Sequence, residues 1–497
     1  MNEPNMRKSF VTLPESDTHW HQVMEYMEPL PDDDYCQASE KARADFRDMK
    51  YGVRIHWGLY SMLNLQEESW PFLKMSDEDR AKYQELYKAF NPKHFSADRW
   101  MDFFSKAGFK CFAITTKHHE GFSLFDTKTR VKRRVNWTTS TGPSIEDCDL
   151  AYSVMETPYG KDIIRELCDA ARKHDIKIDL YFSNPDWYDA DFRPHCYHPL
   201  QTPDADQYVI QNDMKACAHR FEGRELSFGP PLSDDEFEAM IKRHREQLAE
   251  LLSNYGHIDM LCLDMWMGPK MWPRLKETIK TIRKIQPDLM IRCRGIGNYG
   301  DYYTPEGFVP GSPENTDMPW MVIYPLASSF SYDPDGGKYK GSHWVIRNLV
   351  DAVAKGGNFM VGIGPDIDGG WHPEAMRQLL EVGKWLNVNG EAIYATCTKD
   401  EGIYGGLYKE GDHTYFTYSK AGDVMYAIVI SDGASNLSGA DGTVIINSVE
   451  PKKGSAISLL GFEKSLEWQY ISGTGLMIKM PDCCLKAQLA YSFKIQI

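Results

Sequence analysis

Along this chain short apolar runs alternate with amphipathic stretches, and from about residue 50 to about residue 390 the alternation repeats as strand, helix, strand. The first buried strand is read over 51–61. A helix follows over 97–108, where Trp100, Phe103, Phe104 and Ala107 recur at helical spacing and Gly108 supplies the stop. The pattern then predicts a strand over 109–122, a helix over 161–175 and a strand over 176–184. A further helix opens on Ser233, with Glu236 completing a capping box, and runs to Tyr255. Ile258, Met260, Leu261, Cys262 and Leu263 mark the next buried strand, which runs directly into an acid, Asp264. A Pro-started helix over 273–286, a strand over 289–295, a helix over 343–355, a strand over 358–365 and a last helix from Pro373 to about Val388 complete the series.

Repetition of this kind means parallel strands joined by crossovers, and its length predicts a closed (β/α) barrel of TIM type. No glycine-rich nucleotide loop follows any strand, so no nucleotide cofactor is expected. Past residue 400 the pattern changes to short runs of period two, as in HTYFTYS and DVMYAIVIS, which reads as a C-terminal antiparallel β-sandwich. The chain divides into a polar N-terminal surface segment over 1–45, holding Asp32, Asp33 and Asp34, a barrel over 46–395 and a sandwich over 396–497.

Composition narrows the function classes. A formal net charge of -15 argues against nucleic acid as a partner, since a phosphate-binding surface needs an excess of Lys and Arg. Aromatic residues make up 12% of the chain, with 13 Trp, and such faces pack against the C–H faces of sugars. The 11 cysteines show no CxxC spacing, so neither a zinc ribbon nor a disulfide framework is expected, and Cys111, Cys168 and Cys262 read as small buried hydrophobes. No apolar run is long enough to span a membrane. The N-terminus lacks the apolar region of a secretory signal, the mark of a cytoplasmic protein or of one whose signal has been removed. Compartment and oligomeric state are not written in the chain.

Chemistry gathers where predicted strands end. In a β/α barrel the C-terminal strand ends face the active site, so Asp264 reads as catalytic there, or else as a helix cap or an arginine's partner. His56 and Trp57 close the first strand; His118 and His119, followed by Glu120, close the second. Adjacent residues of a strand point to opposite sides, and neither HExxH nor a facial-triad spacing is present, so no metal is expected. Neutral histidines suit sugar hydroxyls.

Four segments carry a resemblance: IHWGLYS at 55–61, AGFKCFAITTKHHEGFSLFDTKT at 107–129, HREQLAELLSNYGHIDMLCLD at 244–264 and VDAVAKGGNFMVGIGPDIDG at 350–369. In this order they resemble the successive blocks of the family 29 glycoside hydrolases, the α-L-fucosidases. The resemblance implies a retaining exo-glycoside hydrolase that removes a terminal α-L-fucose, or a closely related L-sugar, from oligo- or polysaccharides. Asp264 matches the family's nucleophile, His56, His118 and His119 match residues that hold sugar hydroxyls, and Arg294 resembles an active-site arginine. Double displacement needs a second carboxyl about 5–5.5 Å away, acting first as acid and then as base. Glu306, in Tyr303-Thr304-Pro305-Glu306, is the candidate and Glu314 the reserve; the segment Pro319-Trp320-Met321 lacks the acid that some members place after Trp.

Trp57, Trp70, Trp266 and Trp320 are candidate pocket walls. Departures at Ser69-Trp70-Pro71, Cys262-Leu263-Asp264-Met265 and Tyr181-Phe182-Ser183 thin the walls the family usually builds. They keep open an α-L-galactosidase, possibly on a sulfated algal galactan, and the missing acid after Trp320 keeps open a carbohydrate-binding protein without turnover.

Overall fold

The structure is a computed structural model that describes Glu28 and residues 30–194, 198–202, 227–265, 267–310, 318–398, 407–431, 442–481 and 489–497. Seven parallel strands form one sheet. In chain order they are β1 (Tyr51–Ile55), β2 (Cys111–Lys117), β3 (Lys177–Ser183), β4 (Met260–Asp264), β5 (Met290–Ile291), β6 (Met321–Pro325) and β7 (Asn358–Ile363), and in space they run β6-β7-β1-β2-β3-β4-β5. Residues 301–307 join the two edges as an irregular eighth stave. Cys293 N–H donates to the Tyr302 carbonyl at 2.8 Å, Met321 N–H to Tyr303 at 3.1 Å and Ile323 N–H to Pro305 at 2.9 Å. Pro305 has no N–H of its own to give, which is why this stave bridges its neighbours without forming a regular ladder.

Helices lie where the apolar spacing placed them: Ala97–Ala107, Ile163–Lys173, Asp234–Asn254, Trp272–Ile285, Ser342–Ala354 and Pro373–Asn389. Gly108 ends the first of these in the left-handed region at φ 88°, and both halves of the Ser233/Glu236 capping box are formed. Several expectations need correction. The first strand stops at Ile55, ahead of a 3-10 turn at Leu59–Leu63, and the strand expected over 289–295 keeps only two residues because the irregular stave takes over the pairing. The pattern passed over β6 and the hairpin Val131–Asn136/Ser144–Leu150. In the hairpin charged side chains face one another across the strands, Arg134 Nε to Glu146 at 2.8 Å for one, so no apolar alternation announces it. The acidic N-terminal run is tied down, with Asp32 and Asp34 on Lys276 and Lys280 of the helix Trp272–Ile285.

The barrel interior is stacked. Met260, Met290, Met321 and Met360 with Tyr302 close its lower end as an apolar plug. Above the plug stand Arg54, Cys262 and Arg292, joined by Asp179, and two residues further along from these four come His56, Asp264, Arg294 and Tyr181. The strand period of two brings all of these to one interior.

The C-terminal sheets have five strands and three, packed over Phe416, Val444, Ile446, Leu476, Ile478 and Phe493. Trp385 Nε1 donates to the Ala490 carbonyl at 2.9 Å, and Thr417 Oγ1 to that of Ala392 at 2.7 Å, seating the sandwich on the barrel's last helix and the turn after it. Among the described residues no helix is long and apolar enough to cross a membrane.

Candidate active site

Asp264 is the last residue of β4, and only 9% of it is exposed. A carboxylate so deeply placed has to be paired. Tyr181 Oη donates to Oδ2 at 2.7 Å, while Oδ1 receives Arg294 Nη1 at 2.9 Å and lies 3.5 Å from Arg292 Nη1. Burial works to raise its pKa, but Arg294 and Arg292 outweigh it and hold the carboxyl well below the usual range. Glu306 lies on the other side of the same guanidinium: Arg294 Nη2 donates to its Oε2 at 2.9 Å, and Arg292 Nη2 stands 3.6 Å away. Burial again pushes upward, and the two arginines bring this half-buried carboxyl below the ordinary glutamate value. One guanidinium therefore spans both acids.

Histidines line the side towards β1 and β2. His56 is buried against Phe330, ring centroids 4.7 Å apart, and meets His118 edge-on at 5.7 Å. Burial and the neighbouring Arg54 keep its imidazole neutral, with a pKa well below the usual value. His118 Nδ1 is 2.6 Å from Ser69 Oγ, and its ring stacks on Tyr181; His119 Nδ1 is 2.6 Å from Ser183 Oγ. The expectation that these two rings point to opposite sides is corrected. β2 ends at Lys117, the pair sits in the turn beyond it, and the rings are 4.1 Å apart. Trp70 closes this corner, edge-on to His119 at 4.7 Å and beside Trp187.

The structure thus brings together Asp264, Glu306, Arg294, His56, His118, His119 and Trp70. Trp57 and Trp320 are not pocket walls. Trp57 is packed in the core among Phe90, Phe95 and Trp100, and Trp320 is fully buried with its ring over Gly357, where an added Cβ would lie 2.4 Å from it. Trp266 and Glu314 fall outside the described residues, as do His195 and Cys196 of the insertion after β3. Cys262 is more than a small hydrophobe: its sulfur receives Arg292 Nη1 at 3.1 Å and Arg54 Nη1 at 3.4 Å. Sequence reasoning missed Arg54, Arg292 and the hydroxyl of Tyr181. The signal for Arg292 was present, since two arginines at i and i+2 in a buried IRCRG run share a face. Among the described residues no group of three His, Cys, Asp or Glu side chains is placed to hold a metal ion.

Two carboxylates beside the neutral His56 and two further histidines, at the C-terminal mouth of a barrel, form a constellation that can act on a glycosidic bond. Comparison with known proteins points the same way. The family model of alpha-L-fucosidase matches residues 24–391. The chain is 25% identical over 477 residues to human tissue alpha-L-fucosidase, covering 90% of this chain and 88% of that one. It is 24% identical over 462 residues to the plasma alpha-L-fucosidase of Pongo abelii, covering 88% and 86%. Alpha-L-fucosidase isoenzyme 1 from Paenibacillus thiaminolyticus superposes with a TM-score of 0.70 at 25% identity, covering 92% of this chain and 99% of that one. A Bacteroides thetaiotaomicron GH29 alpha-L-fucosidase trapped as a covalent intermediate superposes at 0.71 with 22% identity, covering 96% and 100%. With the barrel, the site and a match over most of its length in agreement, the chain belongs to the α-L-fucosidase family of glycoside hydrolases.

Proposed function

We propose that this protein is a retaining, exo-acting α-L-fucosidase, with Asp264 as nucleophile and Glu306 as acid/base. The observation that carries the reading is the Arg294 guanidinium held at 2.9 Å by both carboxylates. Asp264, ionised and oriented by Tyr181 and Arg294, attacks the anomeric carbon while Glu306 protonates the departing oxygen. Water, deprotonated by Glu306, then releases the sugar with retained configuration. Glu306 must take up a proton to begin, and the sugar favours this by covering the part of the carboxyl, 28% of the side chain, that is still exposed. Once Asp264 is esterified, its negative charge no longer raises the Glu306 pKa, and the same group becomes the base of the second step. His56, His118 and His119 hold the sugar hydroxyls with Trp70 beside them. Phe330, against His56, offers an apolar face that suits the methyl of L-fucose better than the hydroxymethyl of L-galactose.

The test is kcat/KM on aryl α-L-fucoside and aryl α-L-galactoside side by side, with Asp264→Asn as the blank. The fucoside is expected to be preferred. Preference for the galactoside would reassign the sugar, and no turnover above the blank on either aryl sugar or on fucosylated oligosaccharides would remove the enzyme reading.

A further inference from the structure

Barrel interiors are ordinarily filled by branched apolar side chains. Directly beneath the candidate site this barrel holds Arg54, Asp179, Cys262 and Arg292, each two residues before a site residue (His56, Tyr181, Asp264 and Arg294) and each almost fully buried. Their contacts are few and specific. Both guanidiniums direct Nη1 at the Cys262 sulfur, at 3.4 Å from Arg54 and 3.1 Å from Arg292, and Arg54 also lies over the Tyr181 ring at 4.8 Å. Arg292 alone reaches upward, 3.5 Å from Asp264 Oδ1 and 3.6 Å from Glu306 Oε2. Its Nε and Nη2 make no hydrogen bond, and neither do the two oxygens of Asp179.

We propose that Arg292, braced through the Cys262 sulfur against Arg54, is a positioning residue that supplies from below the second positive charge shared by Asp264 and Glu306. The proposal rests on the assignment of those two carboxyls under the proposed function. Arg294 alone would face two anions with one cation; Arg292 balances the pair. Contacts as long as 3.5 and 3.6 Å leave it free to follow the charge. When Asp264 is esterified, Glu306 is the anion that remains. Sulfur is a weak, polarisable acceptor, so it fixes the height of Arg292 without competing with the carboxylates. The other groups facing the two acids are His56 and His119 from the β1 and β2 ends, Tyr181 from β3, Arg294 from beyond β5 and, towards Glu306, Arg54 from β1. Asp179 and Tyr302 face Arg292 from beneath.

The readout is the pH profile of kcat/KM alongside the thermal midpoint. Arg292→Met should lower kcat/KM about 100-fold, the usual size for losing a preorganised charge. With that cation gone the acidic limb should also move up by about one pH unit, because both carboxyls become harder to ionise. Arg292→Lys should restore part of both. Cys262→Ala should move the limb in the same direction by less, and Cys262→Ser should stay near wild type. An unmoved limb, with activity falling only as the thermal midpoint falls, would overturn the proposal. If the wild-type protein turns over no fucoside or galactoside, the functional reading is what fails. Carboxyl titration by 13C NMR of Asp- and Glu-labelled protein then decides the positioning claim: Arg292→Met must raise the Asp264 and Glu306 titrations, and unchanged titrations would refute it.

Discussion

The barrel mouth and the C-terminal sandwich solve opposite problems. In the sandwich nearly every inward position is apolar, and strand partners such as Val444 with Ile478 and Ala427 with Phe493 close a core that needs no charge. At the barrel mouth and just beneath it Arg54, Asp179, Asp264, Arg292 and Arg294 are all buried, and polar atoms of Arg54, Asp179 and Arg292 make no hydrogen bond. Burying charge costs stability unless each ion is matched, and a natural protein retains such an arrangement where it serves a site. The difference separates the two roles: one region holds the fold together, and the other spends part of that stability on chemistry.

Mutation should pull the two regions apart. The largest effect is expected from Asp264→Asn, which should lower kcat about 10,000-fold, the scale on which essential catalytic groups are lost, and lower the thermal midpoint as well, because the buried Arg294 and Arg292 lose their counter-ion; stopped assays on folded protein read the first directly. In the sandwich Phe493→Ala should cost about 4 kcal/mol of stability through the cavity it leaves. Its kcat per folded molecule should stay at the wild-type value, and denaturant titration with active-site counting separates the two quantities.

Asp179 sharpens the contrast through pH. Burial lifts its pKa from 3.8 to about 7, against the pull of Arg54 and Arg292. A carboxyl raised in the folded state stabilises below its unfolded pKa and loses that contribution as pH climbs through its folded one. Asp179→Asn should therefore gain on wild type between pH 4 and pH 8, by up to about 4 kcal/mol, and thermal midpoints across that range would show it. A flat difference would mean that Asp179 is ionised throughout. The smallest effect is expected at Tyr181→Phe, which removes a 2.7 Å hydrogen bond to a carboxylate. About 2 kcal/mol, or some 30-fold in kcat/KM, is the scale for such a bond, with the acidic limb moving upward because Asp264 loses a donor.

Much of the fold was legible because burial patterns are local. Apolar spacing placed six barrel helices, capping chemistry fixed the Ser233 start, and alternation announced the sandwich. Two of the elements that escaped had no local apolar signature: the charged hairpin is stabilised across its strands, and the stave at 301–307 exists only because two strands leave a gap that its backbone bridges. β6, with Met321, Val322 and Ile323 buried, carried an apolar run that was passed over. At the site, the sequence named Asp264, the three histidines, Arg294 and Glu306 through a family's blocks of residues. It also placed Trp57 and Trp320 on a pocket wall, where aromatic type without direction misleads: both rings turn into the core.

By itself, then, the sequence determined the order of strands and helices, the acid at the end of β4 and the family, because each is written in residues close together along the chain. The tertiary structure alone decided that one guanidinium joins Asp264 to Glu306, that the rings of His118 and His119 lie side by side, and that a layer of charge beneath them meets at the Cys262 sulfur. The physical reason is closure. Arg54, Cys262 and Arg292 lie more than 200 positions apart from first to last, and no pattern along the chain reports that three strand interiors point at the same atom.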